Sequence, residues 1–362
     1  MSPSVRRTRV LIVDDSAIVR RMLSNALQEE PDMEVVGLAS DPLVARELIA
    51  LHKPDVLTLD IEMPRMDGLT FLRELMVSRR LPVIIVSSLT QAGSAATVDA
   101  LAAGAIDVIA KPGGPYTVGD IADRLKYCIR AIRTGRPVRY ARLRAYAGPA
   151  PRAASLAHAN GLLLVGASTG GTRAIETLLK RLPADTPPIV IVQHMPAHFT
   201  RVFAARLDSV CPMRVVEAEH DQILRRGVAY VAPGNYHLIV KSRTDELRTA
   251  LTSSAPVHYQ RPAVDVLFRS AAELRGLPVV ALLLTGMGSD GAAGMVALRE
   301  AGAVTIAEAE QSCVVFGMPA EAIARGGAAH VAMLAAMPRL IAETFRSQGA
   351  DAARPSRSLS FS

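Results

Sequence analysis

Short apolar runs alternate with stretches of helical period along most of the chain. In the first third the runs fall at 9–13, 33–39, 56–59, 83–86 and 106–110. Between and after them lie 16–29, 42–51, 68–78, 97–103 and 121–132. Ile18, Met22, Leu23 and Leu27 mark one face of the first of these helical stretches. Strands alternating with helices in this way predict a parallel sheet with right-handed crossovers. A second alternation runs from Gly161 to about Phe345. Its apolar runs at 162–165, 189–192 and 279–284 read as strands buried on both faces. The fold class expected is α/β, with a second, doubly wound parallel sheet following the first.

The stretch 134–160 has no sustained period and is rich in Pro, Gly, Ala and Arg, so it reads as the domain boundary. The expected division is a first domain at 1–130, a linker at 131–160, a second domain at 161–347 and a small, polar, disordered tail at 348–362.

At 362 residues, two cores are the natural expectation. Half the residues are hydrophobic and Trp is absent, so the cores are built from Val, Leu, Ile and Ala. The net charge of +7 is concentrated. Arg133, Arg136, Arg139, Arg142, Arg144 and Arg152 share one stretch without an acid, and the rest of the chain is close to neutral. Because that stretch coincides with the Pro/Gly-rich boundary, it reads as a solvated linker and not as a nucleic-acid surface. Cys128, Cys211 and Cys313 have no disulfide-framework spacing. No apolar run is long enough to span a bilayer, and the N-terminus lacks a signal-peptide core. A cytoplasmic protein without direct membrane insertion is expected.

Two polar constellations stand at strand ends. The first comprises Asp14-Asp15 after the first strand, Asp60 after the third, Ser87 after the fourth and Lys111 after the fifth. All lie on one edge of a parallel sheet. Clustered carboxylates repel one another unless a cation joins them, and Mg²⁺ suits such an oxygen site. Asp60 can then attack a phosphoryl group to form an acyl phosphate, with Lys111 and Ser87 stabilising the added charge. The bond from Lys111 to Pro112 is a candidate cis peptide that would aim the lysine inward.

The second constellation is Gly166-Ala167-Ser168-Thr169-Gly170-Gly171, Gln193-His194-Met195-Pro196 and Thr285-Gly286-Met287-Gly288-Ser289-Asp290-Gly291. A serine hydroxyl needs a base within hydrogen-bond reach, a histidine supplies one, and a buried carboxylate fixes its tautomer. The helix expected after Ser168, marked by Thr172, Ile175, Leu178 and Leu179, offers N–H donors to an oxyanion. Gly-x-Ser-x-Gly alone also suits a phosphate cradle. The order Ser168, His194, Asp290 departs from α/β-hydrolases, where the acid precedes the histidine. His198 could pair with His194 on a metal, but Pro196 disfavours a helix there. His220, His237 and His258 read as solvated or structural, and Cys313 as a core thiol.

The first half resembles the receiver domain of two-component response regulators, a flavodoxin-like fold. The resemblance rests on 11–16, 59–68, 86–88 and 104–112. It implies that Asp60 is the phosphorylated residue. Asp14, Asp15, Asp60 and the backbone carbonyl of Glu62 would hold Mg²⁺. Val108 stands where receivers often carry an aromatic switch. The second half resembles the catalytic domain of chemotaxis protein-glutamate methylesterases, on the three segments above and on 230–234, 261–268, 284–295 and 312–319. This implies a phosphorylation-activated esterase, without a cofactor for the ester chemistry, acting on glutamate methyl esters of methyl-accepting chemoreceptors. Many members of that family also deamidate receptor glutamines by the same acyl chemistry. Ser168 would be the nucleophile, His194 the base and Asp290 its partner. The Met287 N–H, with Thr169 adjoining, would face the oxyanion. A chemotaxis-type histidine kinase would donate the phosphoryl group. The unphosphorylated receiver would cover the active-site face. Two rivals remain at this stage: a phosphorylation-switched binding module, and an esterase or amidase with a different substrate.

Overall fold

The computed structural model describes residues 6–79, 81–88, 91–111, 118–134, 155–244 and 246–352. In the N-terminal half, β1 (Thr8–Val13), β2 (Met33–Ala39), β3 (Val56–Leu59), β4 (Val83–Ser87) and β5 (Asp107–Ala110) form a parallel sheet in the order β2-β1-β3-β4-β5. They alternate with α1 (Ala17–Gln28), α2 (Pro42–His52), α3 (Gly68–Ser78), α4 (Gln91–Ala103) and α5 (Val118–Thr134). Ser16, Asp41 and Asp67 start α1, α2 and α3 by accepting backbone N–H groups of the first turn. Alternate β1 residues enter different cores: Leu11 and Val13 join Ile49, Phe71 and Leu72, whereas Val10 and Ile12 join Leu23, Leu125 and Ile129. Burial on both faces explains the continuous apolar runs. Helix α4 begins six residues before the expected 97, because 91–96 are small or polar and carry no apolar stripe.

The C-terminal half contains β6 (Leu162–Ala167), α6 (Gly171–Leu179), β7 (Ile189–Gln193), α7 (Phe199–Val210), β8 (Arg214–Glu217) and β9 (Val228–Val231). A hairpin of β10 (His237–Arg243) and β11 (Glu246–Thr252) follows, then α8 (Val264–Ala272), β12 (Val279–Leu283), α9 (Ala292–Glu300) and β13 (Val304–Glu308). The half closes with α10 (Met318–Ala324), β14 (His330–Ala332) and α11 (Met337–Ala352). The parallel sheet has the order β14-β13-β12-β6-β7-β9-β8. Leu163 and Val165 face Ile175, Leu178 and Phe345, while Leu162 and Leu164 face Leu267, Phe268 and Leu298. Strand order reverses at β6, which lies between β12 and β7. The carboxyl end of β6 is therefore the switch-point crevice of an open α/β sheet.

Leu156 and Ala159 are buried in the C-terminal core, so its packing begins inside the segment expected as linker. Most of that segment, 135–154, lies outside the described residues, and so do Pro112 and 353–362. Helix α11 reaches Ala352, past the boundary drawn at 347. Helix α4 packs against α6 and α7, and at its rim the Arg206 guanidinium donates to Asp99 at 2.8 Å. Among the described residues no helix is long and apolar enough to cross a membrane.

Candidate functional site

The parallel sheet of the N-terminal half gathers the acidic constellation on its carboxyl edge. Lys111 Nζ lies 2.6 Å from Asp60 Oδ2 and 3.0 Å from Asp14 Oδ2. Asp14 and Asp60 are almost fully buried, whereas Asp15 is exposed. Burial pushes the Asp60 carboxyl up to about 6, against the lowering effect of Lys111. Burial likewise raises Asp14. One carboxylate oxygen from each of Asp14, Asp15 and Asp60 falls within 4.8 Å of the others. Three hard oxygen donors of this kind fit a Mg²⁺ ion. Ser87 Oγ is buried without a hydrogen-bond partner, a free group for a phosphoryl oxygen. Glu62 follows Asp60 in the loop, and its N–H donates to Asp60 Oδ1 at 3.2 Å.

The second constellation also converges. Ala167 and Gln193 are register partners on β6 and β7, so Ser168 and His194 leave the sheet side by side. The His194 N–H donates to the Ala167 carbonyl at 3.1 Å. His194 Nε2 lies 2.7 Å from Asp290 Oδ2, with both side chains buried. The Asp290 oxygens also accept the N–H groups of Val264 and Asp265 at 2.7 and 2.9 Å, which ties the carboxylate to the start of α8. Burial alone would raise this carboxyl, but the His194 and backbone hydrogen bonds outweigh it and hold it below the ordinary range. Ser168 Oγ is buried and makes no hydrogen bond. The structure thus joins His194 to Asp290 and sets Ser168 beside them, without a hydrogen bond from the serine hydroxyl to the imidazole. Gly286 passes so close that a Cβ there would lie 2.7 Å from Ser168 Cβ, which places Met287 next to the nucleophile candidate. Gly170 starts α6 at φ +79°, a left-handed conformation suited to glycine.

The N-terminal half covers this edge. Thr169 Oγ1 donates to Asp107 Oδ2 at 2.9 Å, and the Gly170 N–H donates to the Ile106 carbonyl at 3.1 Å. Asp107 also accepts from Arg124 at 3.0 Å and from the Cys128 thiol. The Tyr127 hydroxyl sits against Gly288, where a Cβ would approach it to 2.7 Å. Beside these contacts a cavity of about 810 Å³ opens between the halves, bordered by Arg124 and Tyr127 on one side and His194, Tyr236 and Tyr259 on the other.

Residues 10–122 match the family model described as response regulator receiver domain, and residues 163–341 match that described as CheB methylesterase. The solved CheB methylesterase catalytic domain of Thermotoga maritima is similar at 39% identity and a TM-score of 0.50, covering 51% of this chain and 98% of that one. Protein-glutamate methylesterase/protein-glutamine glutaminase 2 of Syntrophus aciditrophicus is 50% identical over 323 residues, 88% of this chain and 94% of that protein. Number 1 of Cupriavidus metallidurans is 50% identical over 359 residues, 96% of this chain and 99% of that protein.

The chain belongs to the protein-glutamate methylesterase/protein-glutamine glutaminase family.

Within this methylesterase, several residues beyond the expected set hold the site. Gln193 Nε2 donates to the Ser168 carbonyl at 2.8 Å, and its Oε1 lies only 2.1 Å from where a Cβ on Gly171 would sit. Asp107 was visible only as an acid inside an apolar strand, a signal that in sequence cannot name its partner. His237 is fully buried, accepting from the Ala263 N–H and pairing with the Ala255 carbonyl, in keeping with a structural role. His258 pairs with Asp265. His198 stands at φ +74° ahead of α7, off any shared helical face with His194. Cys313 is half-buried with its thiol pushed up, burial being the main cause.

Proposed function

We propose that Ser168, His194 and Asp290 carry out ester hydrolysis in this methylesterase, on glutamate methyl esters of chemoreceptors, with receptor glutamines as a second substrate class. The observation carrying the reading is the buried His194–Asp290 pair beside an unpartnered Ser168 hydroxyl at the switch-point crevice. Ser168 Oγ attacks the ester carbonyl as its proton passes to the imidazole nitrogen that Asp290 leaves free. The protonated ring then returns the proton to the departing methoxide, releasing methanol. Water, deprotonated by the same imidazole, attacks the acyl-serine; the ring proton then returns to Ser168 Oγ as its bond to the acyl group breaks and the glutamate is freed. Asp290 stabilises the imidazolium, and the Met287 N–H faces the developing oxyanion, with Thr169 adjoining.

Phosphoryl transfer from a chemotaxis-type histidine kinase to Asp60 regulates this chemistry in the cytoplasm. Asp14, Asp15, Asp60 and the Glu62 carbonyl would hold Mg²⁺, which supplies positive charge to the phosphoryl oxygens; Ser87 and Lys111 bind the group once it is attached. Lys111 now engages Asp60, and it follows directly on β5, whose residue Asp107 holds Thr169. A change at Asp60 therefore has a short route to the covered edge, through the Lys111 ion pair, the backbone of β5 and the Asp107 hydrogen bond. The test is methanol release from methylated receptor membranes, with acetyl phosphate and Mg²⁺. Wild type should release methanol, and Ser168→Ala should lose at least about a thousandfold in rate with its Tm unchanged. Retained activity in Ser168→Ala would sink the assignment.

A further inference from the structure

Glu308, the last residue of β13, is fully buried and takes no part in the chemistry above. The β12–β13 ladder ends at Leu283 and Ala307, where the strands part. Past that point the Thr285 N–H has no strand carbonyl to meet, and it donates instead to Glu308 Oε2 at 2.8 Å. Thr285 is the hub of the crevice floor. Its carbonyl accepts the Ser168 N–H at 3.0 Å. Its hydroxyl lies 3.0 Å from the Thr169 carbonyl and accepts the N–H groups of Val314 and Val315 at 3.0 and 2.9 Å. The next residue, Gly286, presses on Ser168, and Met287 follows it.

We propose that Glu308 is a positioning residue for the esterase reaction: its side chain fixes Thr285, and Thr285 fixes the backbone that carries Ser168 and leads into Met287. The inference rests on the serine reading above. Glu308 Oε1 is sealed from solvent without a partner, and among the described residues no ion pair reaches this side chain. The Cys313 thiol is the titratable group that acts on this carboxyl, and Glu310 in turn acts on Cys313. Burial is the main reason its carboxyl is pushed up to about 7, only partly offset by the Thr285 N–H and by the Ser312 and Cys313 side chains. What Thr285 requires of this side chain is an oxygen that accepts its N–H, a role that a glutamine can fill.

The test uses the full chain treated with acetyl phosphate and Mg²⁺, with methylated receptor membranes as substrate. Glu308→Leu strands the buried Thr285 N–H and should lower kcat on the order of 10- to 100-fold with KM unchanged, because misplacement here affects the reacting atoms and not substrate docking. Glu308→Gln keeps the acceptor and should restore kcat. Its stability should also lose one pH dependence. In the unfolded chain the carboxyl titrates near its model value of 4.5 and in the folded chain at about 7, so the folded state holds the extra proton between those values. Wild type should therefore lose stability relative to Glu308→Gln as pH rises through that window, and the Tm gap should level off above it. If Glu308→Leu does not fold, Glu308→Met keeps the length without the oxygen and is read the same way. A kcat within twofold of wild type in the apolar variant, or a Gln variant as impaired as the apolar one, would overturn the role. Ser168→Ala in parallel separates two failures. Methanol release surviving in that variant sinks the serine reading and this role together. Its loss there, with full kcat in Glu308→Leu, overturns only Glu308.

Discussion

Both halves of the chain set polar residues at the carboxyl edge of a parallel sheet, but the edges are held by different forces. In the receiver half, Asp14, Asp60 and Lys111 lock into ion pairs of 3.0 and 2.6 Å. In the esterase half the reactive set is held by backbone. Asp290 is fixed by two N–H groups of α8, and Ser168 by Thr285 and Gln193, while the serine hydroxyl touches no polar partner. Opposite charges attract from any direction, so the first cluster assembles itself once the strands pair. A neutral hydroxyl and an imidazole must be aimed, and aiming requires a scaffold of directional hydrogen bonds. The two edges also meet, because β5 carries Lys111 towards one site and Asp107 towards the other.

The sharpest way to break this contrast is Asp290→Asn. An amide cannot accept the ring proton and both helix N–H groups as the carboxylate does. The rate should fall on the order of 10³- to 10⁴-fold in methanol release, with a stability loss of about 1–3 kcal/mol from the disturbed α8 start, read by denaturant unfolding. An equal effect from removing only the helix cap would show that the scaffold, and not the imidazole, needs the charge.

Asp60→Asn acts on the other edge. It cannot form the acyl phosphate, so the difference in methanol release with and without acetyl phosphate should vanish; couplings of this type are typically about 5- to 150-fold. Stimulation that survived would separate the acidic edge from the esterase. The smallest expected effect probes the contact between the two. Asp107→Ala removes the acceptor for Thr169 Oγ1 and should raise the unphosphorylated rate several-fold, about what one hydrogen bond of roughly 1 kcal/mol is worth. An unchanged or lower rate would mean that the cover over Ser168 does not depend on Asp107.

Much of this organisation is legible in the sequence. The strands at 9–13 and 56–59 are legible because burial on both faces leaves runs dominated by Val, Leu and Ile, whereas 33–39 is a half-exposed edge strand. The ends of those runs located Asp14, Asp60, Ser87 and Lys111, and likewise Ser168, His194 and Asp290. The start of α4 was not legible, because Gln91 to Ala96 show no stripe. Asp107 and Glu308 are not legible in the sequence for a related reason. An acid within or ending an apolar strand has no sequence-local partner, and both find theirs on other elements.

Sequence by itself determined which residues stand at strand ends, since alternation and apolar runs are local properties of a chain packed into a layered sheet. Tertiary structure alone decided which of those ends meet. Strand order placed β6 between β12 and β7, bringing Asp290 to His194 from 96 residues away. Docking of the two halves then set Asp107 on Thr169. Such contacts depend on the relative placement of whole elements, and no short stretch of residues encodes that.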